Sequence, residues 1–205
     1  RHVVDVADYL SRLPLSAAPD RMELPRSPLG LPATVDYLAL VLASHDGWDK
    51  ERRLVRLPDF LTATCVTQSP TTAAEFEQQL SALWTVIGGF DVPQAETSKY
   101  EERGWGNSRG SINSLVIWLA DQVPEFSESD QCASAIRTLR NLGTLRQGAQ
   151  HSSSATRSRA IQAQKAFGLP PVILDHRAAW AVVLEALAAA FYSIVLGVTR
   201  SRAVG

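Results

Sequence analysis

Cysteine is nearly absent from this 205-residue chain: Cys65 and Cys132 are the only two. They sit among apolar neighbours and have no metal-ligand spacing, so they read as free thiols of a reducing cytoplasm, not as a disulfide framework. Histidine is almost as scarce, with His2, His45, His151 and His176 and no His-x-x-x-His pair among them. No Cys-x-x-Cys and no carboxylate cluster stands in for them, so neither a metal nor another cofactor is expected. The glycines at 104, 106 and 110 match neither a Walker loop nor a dinucleotide fingerprint, and no nucleophile elbow is present. Alternating strand patterns are missing too, which leaves an all-α chain. A signal peptide is also lacking. The chain opens on Arg1 rather than Met, which suggests part of a longer protein or complex.

The most informative absence is of acid. From Gln131 to Leu174 there is no Asp or Glu, while Arg137, Arg140, Arg146, Arg157, Arg159 and Lys165 give the segment six positive charges. The whole chain carries −1, so the other residues carry −7. A separation of that size in a near-neutral chain points to an anionic partner, and phosphate is the commonest one.

What the chain does contain is helical spacing with caps and stops. Val3, Val6, Ala7, Leu10 and Leu13 recur as on one helix face. Five prolines between Pro14 and Pro32 then make an extended connector. Residues 33–45 read as a buried helix with Thr34 as its cap, and Asp46-Gly47-Trp48 as a turn. Pro58 divides residues 50–65 into two short pieces. Thr72 with Glu75 fits a capping box that opens a helix to Ile87, stopped by Gly88-Gly89. Residues 91–110 read as a loop with one frayed turn, capped by Asn107 or Ser108, and residues 111–123 as a helix ended by Pro124. Ser127 with Asp130 opens the next helix, to about Gly148, followed by a hydroxyl-rich turn at Ser152 to Ser154 and a basic helix to Phe167. After the stop Gly168-Leu169-Pro170-Pro171, an Asp175 cap begins a final helix to about Arg200. The division that follows is residues 1–68, N-terminal helices with the connector at 14–32, and residues 69–205, a helical bundle.

Placed at about 100° per residue, Cys132, Ala135, Ile136, Leu139, Leu142 and Gly143 form one apolar stripe, and Arg146 falls within it. An arginine on a core-facing stripe is costly to desolvate unless it meets a cleft or a partner. His151 follows five positions later, past Gly148. In an unbroken helix the two side chains would diverge by about 140°, so a break after Gly148 or a second subunit is required to join them.

Arg146-x4-His151, late in a helix and followed by serines and two further helices, resembles the Arg-x4–6-His motif of the HEPN superfamily (higher eukaryotes and prokaryotes nucleotide-binding domain). The resemblance covers the C-terminal half of the chain. It implies an all-α bundle, usually homodimeric, in which Arg and His of both protomers line a cleft and cut RNA without a metal, as toxins and antiviral defence effectors do. One position departs: members often carry Asn, Asp or His directly after the Arg, and here it is Gln147. The superfamily also holds binding-only members.

On this reading His151 is the general base or acid, its pKa being near neutrality, and Arg146 stabilises charge on the phosphoryl oxygens. Arg137, Arg140, Asn141, Arg157, Arg159 and Lys165 are the RNA- or phosphate-contacting residues. The alternatives are a non-catalytic module that binds RNA or nucleotide or only dimerises, and a helical scaffold of a larger assembly. Of the 21 residues from Ala178 to Val198, only Glu185, Ser193 and Gly197 are not apolar. Seven alanines and a central glutamate argue against a membrane span. The expectation is a bundle centre or a homodimer interface built on Trp180, Val183, Leu187, Phe191, Ile194 and Val198.

Overall fold

The computed structural model describes residues 24–49, 51–55, 67–106, 109–150 and 154–204, with backbone alone at 149–150, 154–157 and 202–204. The expected helix at 2–13, the first prolines, residues 56–65 with Cys65, the caps Asn107 and Ser108, His151 and the Ser152 turn lie outside the described residues. Within them are eight helices and no strand: α1 (Leu31–Ala43), α2 (Ala73–Gly88), α3 (Thr97–Glu102), α4 (Ser111–Gln122), α5 (Pro124–Ser127), α6 (Asp130–Gln150), α7 (Ser154–Phe167) and α8 (His176–Val204). The all-α bundle is therefore what the chain forms.

The final helix occupies the centre. Asp175 Oδ1 accepts the backbone N–H of Ala178 at 2.9 Å and so satisfies one of the donors a helix start leaves open. The helix packs chiefly against α1 and α6, and also against α2, α5 and α7. Trp180, Val183, Leu187, Phe191, Ile194 and Val198 are each 2% exposed or less. Full burial of a side chain of that class contributes about 1.5–3 kcal/mol. These six residues, the expected surface for a second subunit, are covered within one chain. Glu185 escapes burial at the rim, its carboxylate 3.5 Å from Arg26. Among the described residues α8 is the one helix long and apolar enough to cross a membrane (His176–Ser201, mean hydropathy 2.1), and 61% of its most apolar stretch is buried in the bundle.

Two of the expected helix starts form as written and two do not. At α2 the Thr72 hydroxyl accepts from the backbone of Glu75, and the Glu75 carboxylate accepts from the backbone of Thr72. Hydrogen bonds from the backbone and hydroxyl of Thr71, joined by that from the Thr72 backbone, hold the Glu75 carboxyl below its ordinary pKa. Helix α1, by contrast, starts at Leu31 rather than Ala33. Pro32 sits in its first turn, where its missing N–H is not needed, and Thr34 is buried inside the turn with its hydroxyl 2.7 Å from Ser27. Pro124 ends α4 and also begins the four-residue α5, so Ser129, not Ser127, receives the N–H of Cys132 at the head of α6. The core also crosses residue 68: Leu38 and Leu42 of α1 are fully buried in the same cluster as α8.

Close approach between helices depends on two glycines. A Cβ on Gly143 would lie 2.7 Å from the Trp84 indole, and one on Gly197 would lie 2.3 Å from Cγ of Phe126. Because Cγ is the root of the ring, Phe126 cannot swing aside without moving α5. Gly197→Ala should therefore cost about 1–3 kcal/mol, read as a lower urea midpoint. Gly88→Ala, whose Cβ would meet nothing closer than 3.9 Å, should hold or raise it.

The buried Cys132 thiol is pushed up to about 11 by loss of solvation. A thiol kept protonated by the fold contributes stability below its unfolded pKa near 8.5, and that contribution is lost as pH rises toward 11. Unfolding midpoints taken between pH 8 and 11 should fall more steeply for the wild type than for Cys132→Ala.

Candidate functional site

Helix α6 carries most of the expected site, and its phase places those residues unequally. Cys132, Ala135, Ile136, Leu139, Leu142 and Leu145 are buried. Gly143 lies under Trp84, so the apolar stripe is real over its whole length. Arg146 belongs to that stripe. It is half-buried, and its Nε is buried with no hydrogen-bond partner among the described residues. Leaving such a donor unmade costs about 1–3 kcal/mol, so an arginine at this position is not explained by the stability of the bundle. The helix does not break after Gly148; it continues through Gln150. His151 lies outside the described residues, so its distance from Arg146 is not part of the geometry.

The remaining basic residues fall into separate groups. Arg137 and Arg140 are exposed and about 60° apart around α6, close enough to act on one ligand. Arg140 does not pair with the neighbouring Asn141, which is half-buried on a different side. Its Nη2 donates to Asn113 Oδ1 of α4 at 3.0 Å, and its guanidinium lies 4.9 Å from the Trp105 ring centre. Loss of solvation there lowers the Arg140 pKa below its ordinary value. Arg159 and Lys165 are exposed on α7 about 120° apart, so they are not brought together with each other. The side chain of Arg157 lies outside the described set.

Among the described residues, no acid pairs with the cations of the acid-free segment. The ion pairs among the described residues are Arg26 with Glu185, Arg52 with Asp49 and Asp91, and Lys99 with Asp121. All of them use cations outside the acid-free segment. Arg137, Arg140, Arg146, Arg159 and Lys165 make no ion pair among the described residues.

A second feature was only half visible in the sequence. A cavity of about 510 Å³ opens between the end of α2 and the start of α4, lined by Arg52, Asp91, Gln94, Arg109, Gly110 and Ser111 among others. Its inner arginine is neutralised by Asp91 at 2.6 Å, and Arg109 is tied to the Thr97 hydroxyl at 2.7 Å. Gly104 and Gly106, with φ of 70° and 50°, do not line it; they shape the turn that carries Trp105. No group of three or more His, Cys, Asp or Glu among the described residues could hold a metal ion.

No family model, curated protein or solved structure matches the chain. The functional reading therefore rests on this geometry together with the Arg146-x4-His151 motif. If Arg146 is kept for a ligand rather than for the fold, Arg146→Met should leave the urea midpoint unchanged or raise it, since it removes an unmade donor and retains the apolar stem. Leu145→Ala, one position away and 6% exposed, should lower stability by about 2–5 kcal/mol.

Proposed function

We propose that this chain is an RNA-acting helical module of the HEPN type, working in the cytoplasm as a metal-independent endoribonuclease. The observation that carries the reading is Arg146: a guanidinium on the buried stripe of α6, with no acid beside it and its Nε without a partner among the described residues. A cation held in that way is suited to an oxyanion that arrives from outside the subunit. The unpaired cations on α6 and α7 support an RNA rather than a small ligand, because they extend well beyond one phosphate.

The chemistry needs two groups. His151 takes the proton of the ribose 2′-hydroxyl, whose oxygen attacks the adjacent phosphorus, and the 5′-oxygen leaves with a proton from a second acid. The products are a 2′,3′-cyclic phosphate and a 5′-hydroxyl. Arg146 offsets charge on the non-bridging oxygens as the bond order changes. Helix α6 runs without a break at Gly148 through Gln150, and two positions five apart on one helix diverge by about 140°. A homodimer that places the His151 of one protomer by the Arg146 of its partner satisfies that geometry. Its interface must use outward residues, such as Val182 of α8 at 38% exposure, rather than the enclosed face of that helix.

A non-catalytic RNA-binding module is the second reading, and the Gln147 departure favours it. Purified protein incubated with mixed RNA in excess chelator separates the two. His151→Ala should reduce cleavage by about 10²–10⁴-fold while binding survives, and Arg146→Ala by a comparable factor, roughly 3–4 kcal/mol. Cleavage that is intact in both variants, or that needs added metal, removes these residues from the mechanism. RNA bound but never cut leaves the binding-only module.

A further inference from the structure

A cluster that the sequence did not suggest lies where the α3–α4 turn meets α6. Trp105 is held in place from below: its backbone N–H donates to the carbonyl of Tyr100 at 2.9 Å, and Tyr100 is fully buried with its hydroxyl 2.8 Å from Ser114. The flanking Gly104 and Gly106 adopt left-handed φ, which lets the turn lift a single large side chain between them. Onto that indole converge two guanidinium groups. Arg140 lies 4.9 Å and Arg103 5.6 Å from the ring centre, both within cation–π range.

Two guanidinium groups so placed are no more than about 10.5 Å apart, and like charges at that range repel each other. Here neither Arg103 nor Arg140 has an acidic partner among the described residues, and the amide oxygen of Asn113 that receives Arg140 is neutral. The desolvation that lowers the Arg140 pKa is likewise unopposed by any acid. An anion with several acceptor oxygens can take donors from two such forks at once.

We propose that Arg103 and Arg140, drawn together by Trp105, clamp a phosphate of single-stranded RNA. The assignment rests on the RNA reading given above and adds a docking point to it. Arg137, exposed about 60° around α6 from Arg140, extends the clamp along the strand. Single strands are held without sequence readout by cationic grooves combined with aromatic side chains, arginine adding cation–π contributions.

The test uses the full chain carrying His151→Ala in excess chelator, so that binding is read apart from cleavage. The probe is a fluorescein-labelled oligouridylate of about 12 nucleotides, followed by anisotropy across a salt series. Replacing both arginines by glutamine should weaken binding about tenfold or more and lower the log–log salt slope by about 0.7, the loss of one phosphate contact on a single strand. Trp105→Leu should weaken binding although both charges remain, an outcome that a purely diffuse charge effect would not produce. Arg103→Glu, at an exposed position, serves as the second variant should the double replacement fail to fold, and it should weaken binding at least as much.

An unchanged affinity and slope in these variants overturns the clamp while leaving the cleavage reading intact. RNA binding that depends on the pair in a protein that never cuts RNA supports the clamp and removes only the nuclease. Inorganic phosphate at matched ionic strength is the remaining arm. If it occupies the pair and the oligouridylate does not, the site serves a free anion and the RNA assignment fails.

Discussion

The enclosure of α8 is the constraint on which everything else depends. A helix of 29 residues that is apolar around most of its circumference cannot face water on any broad side, so other helices must surround it. Five pack against it, leaving Ala181, Val182 and Glu185 on an outer side, and small residues allow the backbones to come near. Ala188, Ala189 and Ala190 are buried at its middle, and Gly197 accepts the ring of Phe126 directly. Since α6 is one of those five helices, its apolar stripe has to face inward along its length. Arg146 is carried inward with it. The position of the most suggestive residue in the chain is therefore a consequence of packing, and its chemistry is an exception to that packing.

Much of this was legible in the residues, because the devices involved are local. A capping box is four residues long, and Thr72 with Glu75 specifies its helix start without reference to the rest of the chain. Asp175 does the same for α8. Gly168, with φ of 78°, marks the stop of α7 as its sequence suggests. Where two devices compete, local reading fails. Pro32 inside the first turn of α1 takes the place that Thr34 was expected to cap, and Thr34 turns its hydroxyl to Ser27 and to the carbonyls of Leu29 and Gly30. The six-residue α3 is too short to show a period, yet its Tyr100 is a fully buried anchor.

The apolar surface of the last helix marks a limit of another kind: its amount suggests a second subunit, because the walls that cover it are not visible in that helix. Helix α1, assigned to a separate N-terminal region, supplies the missing cover through Leu31, Val35, Leu38 and Leu42. No reading of α8 by itself could count the walls available to it. The same limit governs the site. Arg146 could be found from the phase of one helix, whereas the Trp105 cluster joins a loop to a helix 35 positions further on. Its only local sign was a pair of glycines around one tryptophan.

Charge links the two findings. The chain is nearly neutral, yet its acids pair with cations outside residues 131–174, and the cations inside that segment are left without ion pairs among the described residues. Surface ion pairs contribute little to stability, about 0–1 kcal/mol each, so the fold loses little by leaving them unmade. The effect on binding is larger. Each phosphate neutralised on a nucleic acid releases condensed counterions, and that release grows with the number of cations not already matched within the protein. Leaving a segment free of acid is thus a low-cost way to reserve a surface for a polyanion. Arg140 also loses solvation at that surface and Arg146 leaves a donor unmade, so these two positions carry a larger cost in the free protein and are where a bound phosphate would recover the most.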